Sequence, residues 1–561
     1  MLLNKIRFLL IVCLLYQTPL HSKSTSLTNI NSKYLSKYFS GIVAFENKDN
    51  STALDFFNSS KILLNEHDPY LKRYIYSLVL EDKVSQAINV VKNNINKSNT
   101  NFFDAYLLLV LHNLKKGNFE KADFYLKKTI NLFPSNRLNS AILESLKGYI
   151  YVFKEKKLFE DKKNLGKLSI ISDTFQRCYL QDSATDKYFS NLINDDEADY
   201  TRYVYFYLSY LIENNRLEEA KKITNDLDYI NTTLLLSQGK SWIENENENE
   251  LLRVFSCKNS NDIISEFLFL ISNLYSSQDN FKKSNFFLNL SSFFNPKFVF
   301  NLSLVAENQY FNDEYKKAKK TLQNFKKKDT FYYWYRVKKE AQIIAKQRDK
   351  KESLNYITSE FNKIEKPNNK ILFDIANFYK NSEKYEEAIK YYSKILETLD
   401  DKSKIKPDIL YRRGGSYERI GSYNKADDDL LYSLKINPDD AYVLNYLAYS
   451  WLERDFKIDE ALKMLEKAYS FKSNDPYIID SSGWAYFLIN DYLKAEEFLK
   501  RAVELMPGDP IVNDHYGDIL WKLNRKIQAR YYWSNVLKME NAEKEMIDNI
   551  NTKMVKGLEN S

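Results

Sequence analysis

Apolar residues recur along this chain at helical spacing, in stretches that are separated by short polar turns. Near the C-terminal end, each turn is flanked by small residues at fixed places. Gly483 precedes Tyr486 by three positions, and Ala495 follows the glycine by twelve positions. Apolar residues spaced by three and four predict an amphipathic helix on each side of the turn. This stretch therefore predicts a hairpin of two helices, A and B, with Gly483 in the first and Ala495 in the second.

The same spacing returns along the chain, mostly at intervals of 34 or 35 residues. Units begin near residues 34, 68, 103, 201, 265, 299, 334, 369, 407, 441, 476 and 510. A small side chain lets two helix backbones approach closely, so we expect the recurring small residues at the contact between helices A and B. These repeat-packing residues are Gly41, Ala53, Ala87, Ala122, Ala388, Gly414, Ala426, Ala448, Ala461, Gly483, Ala495, Gly517 and Ala529.

A unit of this length and pattern resembles the tetratricopeptide repeat (TPR). The resemblance implies an all-α fold, an α-solenoid of about 12–14 helix pairs that forms a right-handed superhelix. It also implies a concave groove, lined mainly by the A helices, in which such arrays bind peptides or proteins.

The quality of the repeat divides the chain into segments. They are a signal peptide (1–24), N-terminal repeats (25–137), degenerate helical repeats (138–264), further repeats (265–406), a well-formed C-terminal array (407–541) and a C-terminal helix or tail (542–561).

Composition supports a helical protein. Gly and Pro together number 22 of 561 residues, which is far below average usage and argues against sandwiches, barrels and glycine-rich nucleotide-binding sheets. The 44% of hydrophobic residues is enough for a large core and excludes a disordered chain.

The first 24 residues are typical of a signal peptide. Lys5 and Arg7 precede the apolar run Phe8–Tyr16, which is too short to span a bilayer comfortably. The expected location is periplasmic or otherwise exported; the alternative is an uncleaved segment that anchors the chain in the inner membrane. Cys13 follows Val12 within the run, where a lipobox would have a small residue, so lipidation is not expected.

The net charge argues against one class of partner, and the number of cysteines limits the disulfides that the chain can form. Removal of 1–24 takes away three basic residues and no acid, so the net charge falls from +7 to +4, and no nucleic-acid partner is expected. Cys178 and Cys257 then remain; they form either one disulfide or two buried thiols.

The resemblance to TPR arrays places particular A-helix positions in the groove. The partner-groove candidates are Tyr411, Arg419, Tyr442, Asn445, Tyr449, Tyr477, Asp480, Trp484, Phe487, Asp514, Asp518 and Trp521. Aromatic rings beside isolated carboxylates can pack a peptide and accept hydrogen bonds from its backbone. Alternatively, each ring packs against the neighbouring helix pair.

Catalytic chemistry is not indicated. Asp480 and Asp514 have no third acid or histidine at ligand spacing, and the sequence contains no hydrolase, zinc-protease, P-loop or dinucleotide-binding motif. We therefore expect no catalytic residue, no metal, no small-molecule cofactor and no enzymatic activity.

The C-terminal part shows a closer resemblance. The strings Asn445–Ser450, Asp480–Tyr486 and His515–Trp521 resemble motifs of exported proteobacterial TPR proteins, in particular alphaproteobacterial ones. One branch of that group consists of outer-membrane lipoproteins that serve as protease adaptors in cell-wall turnover, but this chain lacks their lipobox.

The sequence thus favours an exported scaffold or adaptor that binds a protein or peptide partner in its groove, in cell-envelope assembly or proteolysis, with peripheral envelope association. Two alternatives stay open: an enzyme or substrate-binding subunit with a site in 138–264, and a membrane-tethered assembly factor.

Overall fold

The structure is a computed structural model, and it describes residues 32–65, 67–132, 137–160, 163–194 and 201–558. The predicted signal peptide lies outside the described residues. Within them the chain forms 30 α-helices and no β-strand, together with short 3₁₀ helices at Lys61–Asn65 and Ser98–Thr100. None of these helices is both long and apolar enough to cross a membrane.

The described helices belong to two compact units. The first extends to Asp226 and resumes at Thr233–Arg336; the second consists of Leu227–Thr232 and Val337 onward. The segments predicted from the sequence are divided by how well the repeat pattern is formed, and their boundaries differ from those of the two units. The predicted segments therefore stay predictions.

The N-terminal helices of the first unit are α1 (Ser32–Glu46), α2 (Asn50–Asn58), α3 (Asp68–Leu80), α4 (Val84–Asn94), α5 (Phe103–Lys115), α6 (Phe119–Leu132), α7 (Arg137–Glu155), α8 (Lys167–Leu180) and α9 (Thr185–Ile193). The unit continues with α10 (Arg202–Glu213), α11 (Leu217–Asn225), α12 (Leu234–Glu244), α13 (Asn249–Val254), α14 (Ser260–Ser276), α15 (Phe281–Phe294), α16 (Asn301–Phe311) and α17 (Tyr315–Leu322).

The chain passes into the second unit within α18 (Thr330–Gln347). The helices that follow are α19 (Lys350–Phe361), α20 (Asn369–Asn381), α21 (Tyr385–Leu396), α22 (Lys406–Arg419), α23 (Tyr423–Ile436), α24 (Ala441–Glu453), α25 (Ile458–Phe471), α26 (Pro476–Leu488), α27 (Tyr492–Leu505), α28 (Pro510–Lys522), α29 (Lys526–Val536) and α30 (Lys544–Lys556).

Apart from α7 and α30, the described helices follow one another as A–B pairs. This is the predicted all-α solenoid, and its pairs agree with the 12–14 expected from the repeat. The right-handed superhelix stays a prediction. In 138–264, where the repeat is weak, the long α7 has no B partner that directly follows it.

Aspartates begin the A helices of the C-terminal pairs. The side chains of Asp440, Asp475 and Asp509 each accept hydrogen bonds from two backbone N–H groups of the first turn of α24, α26 and α28, respectively. This satisfies donors that have no partner inside the helix. Proline at the first position of α26 and α28 also favours a helix start, because its N–H is not required there.

Residues in the left-handed backbone conformation form many of the turns between helix A and helix B. Asp279, Asp313, Asp455, Asn490 and Asn524 occupy this position in five of the pairs, with φ from 51° to 64°. Asn and Asp adopt this conformation more readily than other residues with a side chain. The chain can therefore turn once per repeat while using little glycine.

The predicted repeat-packing residues are all buried. Gly483 shows why a small residue is needed at the A–B contact. A Cβ added there would lie 2.6 Å from Leu499 Cγ on the paired helix, which is closer than real Cβ atoms approach. In the α14–α15 pair serine serves the same purpose, and the hydroxyls of Ser272 and Ser284 hydrogen-bond across the contact at 2.8 Å.

Within the first unit, α15 lies against the A helices of the first three pairs. Tyr76 of α3 stacks on Phe286 of α15, with ring centroids 4.8 Å apart. Lys283 Nζ donates to Asp104 Oδ1 of α5 at 2.7 Å, and Lys282 Nζ donates to the carbonyl of Phe45 in α1 at 3.2 Å. The A helices of the first three pairs are thus already in contact with a helix of the same chain.

A disulfide joins Cys178 of α8 to Cys257, which follows α13, with Cα atoms 5.4 Å apart. Both residues are fully buried. Of the two alternatives that the sequence leaves open, the structure has the disulfide.

Candidate functional site

The candidate site lies on the A-helix face of the second unit, which is the surface formed by α20, α22, α24, α26 and α28. At the N-terminal end of the last three of these helices, three apolar side chains stand at equivalent positions. Tyr442, Tyr477 and Ile511 each expose about half of their surface (50%, 57% and 46%). Each follows its N-cap aspartate by two positions, so the helix cap fixes the place of the exposed side chain.

Trp484 of α26 lies between two other rings. It stacks on Phe487 with centroids 4.7 Å apart and on His515 of α28 with centroids 4.1 Å apart, and both ring pairs are nearly parallel. Its indole Nε1 donates a hydrogen bond of 2.8 Å to Glu453 Oε1 of α24. Trp484 therefore connects neighbouring repeats, in agreement with the alternative that individual rings pack against the next pair.

A buried charge pair supports this stack. Asp480 and His515 are each more than nine-tenths buried, and His515 Nδ1 lies 2.9 Å from Asp480 Oδ2. Burial disfavours the charged imidazole, but the carboxylates of Asp480, Asp514 and Asp518 outweigh it and raise the pKa of His515. The histidine thus carries a positive charge more readily than a free one.

One amide oxygen and one carboxylate oxygen nearby have no hydrogen-bond partner among the described residues. They are Asn445 Oδ1 of α24 and Asp480 Oδ1 of α26, which occupy the fifth position of consecutive A helices. Both were predicted as groove candidates, and both retain an acceptor that no described group of the chain uses.

The C-terminal end of the A-helix face is covered by α30. Lys553 Nζ donates to Asp514 Oδ1 at 2.7 Å and to both carboxylate oxygens of Asp518, at 2.8 and 2.9 Å. Asp518 also accepts a hydrogen bond from Trp533 Nε1 at 3.0 Å. Burial, and then the charge of Asp514, raise the pKa of Asp518 to about 7.

This arrangement corrects part of the predicted site. Asp514, Asp518 and Trp521 are predicted groove candidates, but the structure places them against the chain's own C-terminal segment. Gly557 lies so close to the Trp521 ring that a side chain at that position would collide with it. The reason is that α30 lies outside the repeats, so the pattern of the last repeat does not show that a further helix packs on it.

A cavity of about 390 Å³ opens on the same face between α20, α22 and α24. We call it the tyrosine cavity, because Tyr385, Tyr411, Tyr446 and Tyr449 line it. The rings of Tyr411 and Tyr446 meet edge to face, with centroids 5.5 Å apart. Burial raises the pKa of both hydroxyls, so they stay protonated.

The rim of the tyrosine cavity carries charges of both signs. Lys380 of α20 and Arg412 and Arg419 of α22 supply the positive charges, and Glu418 and Glu453 supply the negative ones. Burial, and then the charges of Arg412 and Arg419, lower the pKa of Lys380. Both arginines therefore repel the charge on Lys380, and the carboxylate of Asp408 partly offsets this repulsion.

The structure thus brings Tyr411, Arg419 and Tyr449 together in one cavity and leaves Tyr442 and Tyr477 half exposed. The sequence prediction did not include Lys380, Gly415, Tyr446, Glu453 or Lys553. Gly415 offered a signal, since it follows the repeat glycine Gly414 and has no place of its own in the repeat. The acid and histidine residues of the described chain include no group that could hold a metal ion.

Comparison with known proteins supports the tetratricopeptide-repeat character of the chain. The family model described as tetratricopeptide repeat matches residues 370–398, which cover α20 and α21. The chain is also 32% identical over 111 residues to the TPR repeat-containing protein PA4667 of Pseudomonas aeruginosa. That match covers 20% of this chain and 19% of the relative, so the chain spans about a fifth of the relative's length.

Solved structures with similar helical repeats include a tetratricopeptide repeat protein from Parabacteroides merdae. It is 16% identical with a TM-score of 0.35, and the match covers 52% of this chain and 98% of that one. A thermophilic TPR protein from Thermus thermophilus is 16% identical with a TM-score of 0.30, and the match covers 34% of this chain and all of the other. The closer resemblance to exported alphaproteobacterial proteins stays a prediction.

Proposed function

We propose that this tetratricopeptide-repeat protein is an exported scaffold or adaptor that binds a peptide segment of a partner protein on the A-helix face of its second unit. One observation carries the proposal. On that face three apolar side chains stand half exposed at equivalent positions of α24, α26 and α28, and the tyrosine cavity opens between α20, α22 and α24. Exposed apolar rows rimmed by polar groups are typical of interaction surfaces.

In the first unit, part of the A-helix surface is already covered by another helix of the chain. In its first three pairs the corresponding helices are in contact with α15, through the Tyr76–Phe286 stack and the ion pair of Lys283 with Asp104. This favours the second unit as the place where a partner binds.

The disulfide supports the proposed export. Disulfides persist in oxidising compartments and are rare in the bacterial cytosol. A fully buried bond between Cys178 and Cys257 therefore suits a periplasmic or otherwise exported protein with a cleaved leader. N-terminal sequencing of the mature protein tests this: a chain that begins near Thr25 supports export by cleavage, and one that retains 1–24 supports the membrane-tethered alternative.

The role that we propose is scaffolding in cell-envelope assembly or proteolysis, with no catalytic step and no cofactor. Its test is photo-crosslinking in cells, with a photoreactive amino acid at Tyr442 or Tyr477. Tyr531 of α29, which is 60% exposed on a B helix, is the matched control. We expect one shared protein product from the two A-helix positions and none from the control. Equal products from all three positions, or none from any, would contradict the proposal.

A further inference from the structure

The positive charge of the chain is concentrated in one segment of the first unit. From residue 280 to residue 328 the chain has ten lysines and three acidic residues. This excess of seven equals the net charge of +7 of the whole chain, so the remaining residues carry as many basic as acidic side chains. Lys282 and Lys283 pair with acids outside the segment. The excess therefore lies mainly at the C-terminal end of the segment, at 315–328.

Residues 315–328 form α17 and the turn that follows it, and they include seven lysines and no acid. Ala318 and Leu322 are the buried residues of α17, so the lysines occupy its other sides. Because Lys316 and Lys320 are four positions apart, they lie on the same outward side of the helix. We call the seven residues the lysine surface; they are Lys316, Lys317, Lys319, Lys320, Lys326, Lys327 and Lys328.

Nearby acids offset only part of the charge of the lysine surface. Glu314 forms a salt bridge with Lys317, with Oε1 and Nζ 2.8 Å apart. By contrast, Lys316, Lys320 and Lys328 form no salt bridge within the part of the chain that the structure describes. Seven lysines thus stand beside four acids, which are Asp49, Asp313, Glu314 and Asp329.

An exposed aromatic ring stands next to the lysine surface. Phe311, the last residue of α16, is 64% exposed, and its ring meets that of Tyr310 edge to face at 5.4 Å. It precedes Lys316 by five positions, so at most roughly 18 Å separates the two Cα atoms. An apolar ring beside lysines suits the interface of an anionic bilayer. The phosphates of a nucleic-acid duplex would use the lysines but leave the ring in water.

We propose that the lysine surface and Phe311 bind a membrane that contains anionic phospholipids. The ammonium groups interact with the headgroup phosphates, and the Phe311 ring enters the boundary between headgroups and acyl chains. Binding is peripheral, because α17 stays packed in its repeat through Ala318 and Leu322. The inference goes beyond the proposed function, since it concerns a lipid and a surface of the first unit. It does not depend on peptide binding by the A-helix face.

Vesicle co-sedimentation tests the inference. The protein is the chain from Thr25 onward, which contains every described residue but not the apolar run that could itself enter a membrane. One set of vesicles consists of phosphatidylcholine, and the other also contains about 30% phosphatidylglycerol to supply the anionic charge. We expect the anionic vesicles to bind the protein at least about tenfold more tightly, and added salt to reduce this difference.

A double variant locates the charge dependence. Lys316→Gln/Lys320→Gln should weaken binding to the anionic vesicles by about twenty-fivefold, because each lysine near such a surface contributes about a factor of five. Lys463→Gln/Lys538→Gln is the matched control. Both of its lysines are exposed residues of the second unit, and neither forms a salt bridge with a described residue. The control should bind as the unaltered protein does, and far-UV circular dichroism of both variants shows whether the helices are retained.

A second pair of variants tests the ring. Phe311→Ser should weaken binding to the anionic vesicles about fivefold, since its apolar surface no longer leaves water. Phe124→Ser is the matched control, because Phe124 is 60% exposed and meets Tyr125 edge to face at 5.2 Å. It should leave binding unchanged. A polarity-sensitive dye attached at Phe311→Cys should brighten with the anionic vesicles, and the same dye at Phe124→Cys should not.

Equal binding to the two kinds of vesicle would overturn the inference, as would unchanged binding by Lys316→Gln/Lys320→Gln. Unchanged binding by Phe311→Ser, with no response of the dye, would overturn the entry of the ring into the membrane. A duplex oligonucleotide at the same phosphate concentration is the competing probe. Tighter binding to it than to the anionic vesicles would assign the lysine surface to nucleic acid and overturn the choice of lipid.

Discussion

His515 Nδ1 of α28 lies 2.9 Å from Asp480 Oδ2 of α26, and this buried pair joins two consecutive repeats through their A helices. Because the pKa of His515 is raised in the folded protein, the stabilisation by its charge is fully present below the pKa of an unfolded histidine, about 6.5. It is lost as the pH rises through the folded value. Asp518, with a pKa of about 7, acts in the same direction, since the folded state holds its proton more tightly than the unfolded state.

We therefore expect the second unit to unfold at a lower urea concentration at pH 9 than at pH 6. In His515→Asn the difference should shrink, because asparagine keeps a polar side chain but does not titrate. The measurement is the urea midpoint at both pH values for both proteins. An equal pH effect in the variant would show that the histidine does not carry the dependence.

Replacing Lys553 by methionine should destabilise the C-terminal end of the second unit by about 3 kcal/mol. This is the lower end of the range for breaking a buried ion pair, and we choose it because the lysine side chain is 18% exposed. The loss leaves Asp514 and Asp518 without their cation. Lys544→Met, an exposed position on the same helix, is the control and should have little effect. Adding Asp518→Asn to Lys553→Met should restore part of the stability; no restoration would argue against the pair as the cause.

Gly483→Ala should lower the free energy of unfolding by about 1–3 kcal/mol, because its methyl group overlaps Leu499 across the A–B contact. Gly508→Ala is a matched control, since nothing lies within 4 Å of a Cβ added there and no left-handed conformation is required. It should be neutral or stabilise by less than about 1 kcal/mol. Thermal or urea unfolding measures both, and similar values for the two variants would contradict close packing at Gly483.

Reduction of the Cys178–Cys257 disulfide should destabilise the first unit by about 2–4 kcal/mol, since the bond closes a long loop, with a sequence separation of 79. The test compares melting with and without a reducing agent, with the Cys178→Ser/Cys257→Ser variant as the control that should not respond. Thiol labelling of the unfolded chain, prepared without residues 1–24 and therefore without Cys13, should find no free cysteine before reduction and two after it. Two free thiols before reduction would show that the bond does not form.

The repeat predicts most of the second unit. Its A helices are expected to start near 407, 441, 476 and 510, and they start at 406, 441, 476 and 510. The reason is physical: the A–B contact accepts only a small side chain at two places, so the positions of Gly414 and Gly483 determine the register. In 138–264 the pattern is weak, and contacts outside the repeat pattern, among them the disulfide between Cys178 and Cys257, also hold the helices there.

The candidate site is less predictable from the repeat. The exposure of Tyr442 and Tyr477 follows from the repeat. Both occupy the same position of an A helix, and the helix geometry at that position directs the side chain outward. Whether a predicted groove residue is free or bound by another side chain depends on parts of the chain that lie outside the repeat or in the preceding pair. Lys553 reaches Asp514 from 39 positions away, and Lys380 meets Arg412 and Arg419 from the preceding pair.

The contacts of α15 also have a consequence for the order in which the chain folds. Lys282 and Phe45 are 237 positions apart, whereas Asp480 and His515 are separated by 35. Contacts of high sequence separation form slowly, because a long loop must close before they stabilise anything. During synthesis the first three pairs must therefore wait, with apolar surface such as Tyr76 uncovered, until α15 has emerged. The second unit can add one pair at a time to the pair before it. A chaperone that acts on this protein should accordingly be needed early, on the N-terminal repeats.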